Sequence, residues 1–160
     1  MATLSKITPC LWFDTQGEEA ANYYTSLFEN SRITKISRYG DAGPRPAGTV
    51  MTVDFELAGQ PFVALNGGPD FTFNEAVSFQ VTCESQEEVD ELWGKLTEGG
   101  QEGPCGWCKD RFGLSWHIIP TALLELIGDP DPGRSQRAMM CMLGMGKIEI
   151  AELQRAADAA

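Results

Sequence analysis

The residue of this chain best suited to acid–base chemistry near neutral pH is its single histidine, His117. His117 lies in an apolar run at 114–119 that is typical of a strand. Strand alternation places Ser115 and His117 on one face and Trp116 and Ile118 on the other. Three roles stay open for His117: lining a pocket, catalysis or metal binding, and a plain structural hydrogen bond. The polar neighbours on its face favour the pocket.

A second group of reactive side chains is the pair Cys105 and Cys108, spaced as C-x-x-C. Redox pairs of this spacing work when the first cysteine begins a helix, because the helix N-terminus lowers the thiol pKa. Here the charged segment 109–111 follows, and we interpret it as a solvated hairpin tip. A zinc site would need a second such pair, and the chain has none. Two free thiols are therefore the favoured interpretation.

Bulk composition excludes several classes of protein. The chain has 160 residues, enough for one compact domain with a core, and 12 basic against 23 acidic residues give a net charge of −11. This charge argues against nucleic acid and anionic membrane surfaces as partners. No signal-like start or membrane span is visible, and an odd number of cysteines fits a reducing compartment. We expect a cytoplasmic protein.

The chain repeats one pattern, a short strand followed by an amphipathic helix. Strand 11–13 precedes one such helix, and strand 79–81 precedes the other. Both helices carry an apolar stripe at i, i+3, i+4 and i+7, formed by Ala20, Tyr23, Tyr24 and Leu27 in the first and by Val89, Leu92, Trp93 and Leu96 in the second. Two copies predict an approximate internal twofold, with a working cleft where the halves meet.

The rest of the pattern extends each copy to a β-α-β-β-β module. In module one (5–66), strands are predicted at 7–13, 32–39, 50–57 and 62–65, with a helix ending near Asn30. A linker at 67–75 leads to module two (76–120). There we predict strand 77–83, helix 86–97, weak strand material at 101–107 and a last strand at 114–119.

The segment 121–160 has no counterpart in the first half. It is predicted to be helical at 123–127, 133–143 and 148–159, as a cap on the sheets or, less favoured, a dimer contact. Its methionines, Met139, Met140, Met142 and Met145, are expected to pack it onto a partner surface. The predicted fold class is α+β: tandem βαβββ modules forming a curved mixed sheet with a cleft, plus a C-terminal helical tail, within one domain.

Four stretches give this organisation a family resemblance. They are Ile7-Thr8-Pro9-x-Leu11-Trp12-Phe13-Asp14, Ala64-Leu65-Asn66-Gly67-Gly68-Pro69, Phe71-x-Phe73-Asn74-Glu75-Ala76 and Cys105-Gly106-Trp107-x-Lys109-Asp110-Arg111-Phe112-Gly113-x-Ser115-Trp116. They resemble the PhnB-like group, often named 3-demethylubiquinone-9 3-methyltransferase, of the vicinal oxygen chelate superfamily, which includes glyoxalase I, bleomycin-resistance proteins and extradiol dioxygenases. The resemblance is taken to cover essentially the whole chain, tail included. It implies a homodimer.

The resemblance also implies where a divalent metal would bind. The superfamily's ligand positions fall near Thr8, near 64–66, at Ser78 and at His117, and only His117 carries a good ligand. A polar pocket for a small organic molecule is therefore favoured over a metal cage, and no cofactor is assigned. Asn66 is either a turn residue, as we favour, or a ligand contact. The candidate ligand-binding residues are Thr8, Cys10, Trp12, Asn66, Ser78, Gln80, Cys105, Ser115 and His117.

Two enzymatic alternatives remain beside ligand binding. One is a divalent-metal-dependent lyase, isomerase or dioxygenase acting on an oxygenated substrate, with His117 as its catalytic residue. The other is the methyltransferase of the group's name. That activity needs S-adenosylmethionine, and the glycine pairs 67–68 and 99–100 do not open a recognisable nucleotide-binding unit.

Overall fold

The computed structural model describes residues 5–159, and the chain divides into two compact units between Thr72 and Phe73. This boundary lies inside the predicted linker. No helix among the described residues is long and apolar enough to cross a membrane.

The first unit is a four-stranded sheet covered by one helix. Its elements are β1 (Cys10–Phe13), α1 (Gly17–Leu27), β2 (Arg32–Arg38), β3 (Val50–Leu57) and β4 (Gln60–Asn66). The strand order is β1-β4-β3-β2, with β1 parallel to β4 and the other pairs antiparallel. Alternate residues of β3 are buried, and the aromatic ring of Phe55 in β3 stacks on Tyr24 of α1. Strand alternation thus gives the sheet one covered and one open face.

The second unit repeats this topology. It contains β5 (Ser78–Cys83), α2 (Gln86–Thr97), β6 (Gln101–Glu102), β7 (Trp107–Lys109) and β8 (Ser115–Pro120). The order is β5-β8-β7-β6, with β5 parallel to β8. The α+β class and the tandem repeat are confirmed, with the strands arranged as two four-stranded mixed sheets, one in each unit.

Helix α2 begins and ends where its sequence pattern predicts. The Ser85 side chain accepts a hydrogen bond from the backbone N–H of Glu88 at 3.2 Å, and the Glu88 carboxylate accepts one from Glu84 at 2.8 Å. These local bonds satisfy donors at the start of the helix, as in a capping box. Its apolar stripe, including Val89 and Leu96, is buried.

The tail forms three helices, α3 (Thr121–Ile127), α4 (Pro132–Leu143) and α5 (Ile150–Asp158). They share a core with the end of β8, formed by Ile119, Leu123, Leu126, Ala138, Met145, Ile148, Leu153 and Ala157. The tail is therefore a cap on the second unit. Of the methionines expected at a partner surface, Met145 is buried in this cap and Met140 is exposed.

Two strand predictions need correction. The first strand begins at Cys10 instead of residue 7, so Thr8 precedes it. The predicted strand material at 101–107 is interrupted between β6 and β7, where Pro104 has no N–H to donate and Cys105 and Gly106 have φ values of 57° and 86°. These backbone conformations cannot continue a strand.

Candidate functional site

The open face of the second sheet carries two cross-strand rows of polar and aromatic side chains. Register pairs Ser115 of β8 with Ser78 on one side and with Lys109 on the other. Two residues along β8, His117 is paired with Gln80 and with Trp107. The structure thus brings together four predicted site residues and adds two that the sequence analysis missed. These two residues are Trp107 and Lys109, and their register opposite His117 and Ser115 is not visible in the local sequence pattern.

His117 lies against the indole of Trp107, with ring centroids 3.8 Å apart and an angle of 2° between the planes. Its Nε2 is 3.1 Å from the Cys105 carbonyl oxygen. Because a carbonyl only accepts, Nε2 carries the proton and the neutral ring has its lone pair on Nδ1. Burial lowers the pKa of His117, and the bond to the Cys105 carbonyl opposes this shift only in part. The imidazole is therefore neutral at pH 7.

The Cys105 carbonyl is held in place by the tail. The backbone N–H groups of Cys105 and Gly106 donate to the carbonyls of Met145 and Gly146, each at 2.8 Å. Gly106 also accepts from the N–H of Ile118 at 2.8 Å, and a Cβ on Gly106 would lie 2.8 Å from the Ile118 oxygen. The site thus receives a backbone carbonyl from Cys105, whose side chain is buried.

Ser115 is the polar residue whose environment is least satisfied. The residue is 2% exposed, and its Oγ has no hydrogen-bond partner among the described residues. It lines a pocket of about 320 Å³ together with Trp107, Lys109 and Glu75. The Lys109 ammonium forms an ion pair with the Glu75 carboxylate, and the Trp107 indole N–H donates to the Ser78 hydroxyl at 3.3 Å. A buried hydroxyl without a partner therefore lies at the wall of a mainly apolar pocket.

The hairpin that presents Lys109 and Ser115 is organised by Asp110. The interpretation of 109–111 as a solvated tip is wrong for this residue, because Asp110 is buried. One carboxylate oxygen accepts from the backbone N–H groups of Phe112 (2.8 Å) and Leu114 (3.2 Å), and the other accepts from the Trp116 indole at 2.9 Å. A carboxylate with these donors fixes both the turn and the strand that follows it.

The two cysteines of the C-x-x-C pair are buried free thiols. Burial raises the pKa of Cys108 to about 12, with further contributions from Asp110 and Glu102. At neutral pH Cys108 is therefore protonated and a poor nucleophile. This environment does not fit a redox-active pair.

The first unit contains the other predicted residues. Cys10 is exposed on the same open face as Trp12. The Trp12 indole donates to the Gly68 carbonyl at 2.8 Å, and its ring lies where a Cβ on Gly67 would come within 2.4 Å. The glycine pair 67–68 therefore provides room for the Trp12 ring.

Asn66 is buried on the helix-covered side of the first sheet. Its Oδ1 accepts from the backbone N–H of Gly17 at 2.7 Å, and its Nδ2 donates to the Val50 carbonyl at 3.2 Å. The Tyr39 hydroxyl donates to its backbone carbonyl at 2.6 Å. Asn66 therefore anchors the start of α1 to the sheet, and its role as a ligand contact stays a prediction.

The side chains at the positions implied for a metal do not form a set of ligands that fits a divalent ion. His117 can offer only one ring nitrogen, Nδ1, because Nε2 donates to the Cys105 carbonyl, and the Ser78 hydroxyl accepts from the Trp107 indole. Both polar atoms of the Asn66 side chain also have protein partners. Within residues 5–159, no three His, Cys, Asp or Glu side chains form a group that could hold a metal. Divalent metals in proteins prefer such imidazole, thiolate and carboxylate ligands.

Comparison with known families decides the relationship. Residues 5–119 match the model of a family described as 3-demethylubiquinone-9 3-methyltransferase. The chain belongs to this family. Among solved structures it resembles a PhnB protein from Bacillus cereus that carries the same methyltransferase description. The two sequences are 40% identical. The alignment covers 72% of this chain and 99% of the Bacillus chain, with a TM-score of 0.65.

More distant structures share the fold. A protein from Pseudomonas aeruginosa is 22% identical, over 73% of this chain and 98% of its own, with a TM-score of 0.60. The fosfomycin resistance protein FosX from Listeria monocytogenes is 15% identical, over 74% of this chain and 94% of its own, with a TM-score of 0.50. These likenesses extend over most of each chain and concern the fold. A search of curated proteins found no match.

The helical tail lies outside the family match. The match ends at residue 119, just before α3 begins at Thr121. The Bacillus protein is covered over 99% of its length yet accounts for only 72% of this chain. The expectation that the resemblance includes the tail is therefore wrong, and the contacts of Met145 and Gly146 with the Cys105 turn come from a segment outside the family match.

Proposed function

We propose that this protein binds a small organic molecule in the pocket beside Ser115, Trp107 and Lys109. The observation that carries the proposal is the buried Ser115 hydroxyl without a partner at the pocket wall. Leaving a buried polar group unpaired costs about 1–3 kcal/mol, so native proteins rarely keep one without a reason. An oxygen or nitrogen of a bound ligand would supply the missing hydrogen bond.

The shape and lining of the pocket support the same function. Its volume of about 320 Å³ is at the small end of the range for ligand pockets, about 300–1,000 Å³. Trp107 is 42% exposed there although His117 covers one face of its indole. An exposed, rigidly held tryptophan beside a few polar groups is typical of a site for an organic ligand. Binding of the ligand in a cleft between the two modules stays a prediction.

His117 supports the pocket through Trp107. Its ring stacks on one face of the Trp107 indole and fixes it, and His117 itself is not among the residues described as lining the pocket. Catalysis by His117 stays a prediction, tested by His117→Gln against Trp107→Phe once a turnover assay exists.

The methyltransferase of the family description is disfavoured. Each sheet has one parallel strand pair within a mixed order, which differs from the open parallel sheet and glycine-rich turn that bind nucleotide cofactors. Calorimetric titration with S-adenosylmethionine tests this conclusion, since saturable binding would restore the methyltransferase hypothesis.

The proposal is tested by screening a library of small organic molecules by NMR. We expect ligands that shift the Trp107 indole N–H resonance, assigned by its loss in Trp107→Phe. Ser115→Ala should weaken their binding, whereas Ser5→Ala, an exposed serine of the first unit, should leave it unchanged. Ligands that bind elsewhere and are insensitive to Ser115→Ala would refute the proposal.

We also propose that the protein is cytoplasmic, as its free cysteines indicate, and a homodimer, as its resemblance implies. Light scattering coupled to size-exclusion chromatography measures the assembly, and a mass of 17.5 kDa would show a monomer. Cell fractionation tests the location.

A further inference from the structure

The pocket of the second sheet contains an ion pair that a ligand can replace. The Lys109 ammonium contacts the carboxylate of Glu75, and both side chains line the pocket. The Glu75 side chain is 71% exposed and that of Lys109 is 29% exposed. Exposed ion pairs contribute little to stability, so the Glu75 carboxylate can leave Lys109 at little cost. Glu75 precedes β5 and belongs to no helix or strand.

Two hydrogen-bond donors reach the pocket from one cross-strand pair. Lys109 of β7 lies directly opposite Ser115 of β8 in the antiparallel register. Directly opposed residues have Cβ atoms about 4.5–5.5 Å apart, which suits two donors that share one carboxylate. The Ser115 hydroxyl has no described partner, and the ammonium is the only cationic group among the pocket-lining residues described.

A flat apolar surface lies beside these donors. Trp107 is two residues before Lys109 in β7, on the same face and about 7 Å along the strand. His117 covers one face of its indole. A molecule with a carboxylate on a planar ring therefore has the right length for both contacts. Its carboxylate reaches Lys109 and Ser115 while its ring stacks on the Trp107 face opposite His117.

We propose that the ligand of this pocket is a planar aromatic carboxylate, whose anionic group displaces Glu75 from Lys109 and accepts from the Ser115 hydroxyl. This inference rests on the proposed function and adds the chemical class of the ligand. The Glu75 carboxylate marks the place of the ligand's own carboxylate. The low pKa of Glu75, caused first by its hydrogen bond to Lys109, agrees with an anion held at this position.

The remaining acidic residue of the pocket wall does not compete for Lys109. Glu102 accepts a hydrogen bond from the indole of Trp93 at 2.9 Å. The negative charge of Glu102 and the chain's net charge of −11 repel an approaching anion at long range. We therefore expect affinity for the anionic ligand to rise from low to moderate salt as this repulsion is screened.

The test compares three probes of similar size: benzoate, its neutral isostere benzamide and the non-planar cyclohexanecarboxylate. Binding is measured by NMR titration of the Trp107 indole N–H in the full chain. Benzoate should bind about tenfold more tightly than benzamide, because a charge-assisted bond to Lys109 is lost in the amide. It should also bind about fivefold more tightly than the non-planar acid, which cannot stack on the indole.

Two variants with matched controls separate the contributions. Glu75→Gln should tighten benzoate binding by about threefold by removing the weak internal competitor, and leave benzamide unchanged. Lys109→Gln should weaken benzoate by about tenfold. The controls are Glu29→Gln and Lys35→Gln, exposed changes of the same charge in the first unit.

The outcomes distinguish the two proposals. If benzamide binds as tightly as benzoate, or if Glu75→Gln weakens benzoate, the ligand class is wrong while small-molecule binding stands. If no probe shifts the Trp107 resonance but a neutral molecule from the library does, the ligand class again fails alone. If neither the probes nor the library shifts it, both proposals are refuted.

Discussion

Replacing Asp110 with alanine should unfold the hairpin that presents Lys109 and Ser115. The carboxylate accepts three hydrogen bonds, from the backbone N–H groups of Phe112 and Leu114 and from the Trp116 indole. The Leu114 and Trp116 donors are buried and cannot turn to water when the acceptor is removed. The Phe112 N–H is partly buried, so water can replace its acceptor.

The magnitude follows from these two buried donors. Each buried donor left unpaired costs about 1–3 kcal/mol, so Asp110→Ala should lower the free energy of unfolding by about 4 kcal/mol. In a chain of this size, 1 kcal/mol shifts the melting temperature by about 2–4 °C, which gives a decrease of about 8–16 °C. Asp110→Asn keeps one accepting oxygen but turns an N–H₂ group toward the Trp116 indole. Asp110→Asn should therefore lower the free energy of unfolding by about half as much as Asp110→Ala.

Urea denaturation and thermal melts measure these changes, with Asp41→Ala as the exposed control. A double-mutant cycle with Trp116→Phe isolates the indole bond, and the cost of Asp110→Asn should fall by about 1–2 kcal/mol in that background. If Asp110→Ala costs no more than Asp41→Ala, the carboxylate is solvated and the assignment of Asp110 as the organiser of the hairpin is refuted.

Three further predictions concern the site and the tail. Ser115→Ala should stabilise the ligand-free protein by about 1 kcal/mol, because it removes an unpaired buried hydroxyl; a destabilised variant in urea melts would contradict this. NMR titration of His117 should give a midpoint below the usual histidine pKa of about 6.5, so the positive charge appears only as the pH falls below that value. The neutral ring should carry its proton on Nε2, and a neutral ring protonated on Nδ1 would disprove the Cys105 contact. Leu153→Ala should cost about 2–5 kcal/mol in thermal unfolding, whereas exposed Met140→Ala should cost under about 0.5 kcal/mol; equal costs would show a loosely packed tail.

Periodicity predicted the helices and strands whose sequence pattern is uninterrupted. The range of β3 alternates apolar and polar residues without interruption, and the apolar stripe of α2 predicts one helix. Both predictions match the structure because the residues that form each signal are neighbours in the chain. The repeat of the strand–helix pattern likewise indicated two modules with the same strand order.

Local patterns were weakest where the candidate site lies. Gly103, Pro104 and Cys105 break the strand between β6 and β7, so no alternation was visible from which to predict the position of Trp107. Lys109 was interpreted as a solvated charge because its partner in register, Ser115, could be assigned only once the length of the hairpin loop was known.

The sequence by itself determined the α+β class, the tandem modules, the helical tail and the shared face of Ser115 and His117. Each of these follows from spacing along a few consecutive residues, where strand and helix geometry dictate which side chains point together. Only the tertiary structure decided that Trp107 stacks on His117 and that the Ser115 hydroxyl has no described hydrogen-bond partner. It also decided that the Cys105 carbonyl contacts His117 while backbone hydrogen bonds to the tail hold the Cys105 turn. These features depend on strand register and on backbone contacts between residues such as Cys105 and Met145, far apart in the chain, which no local pattern records.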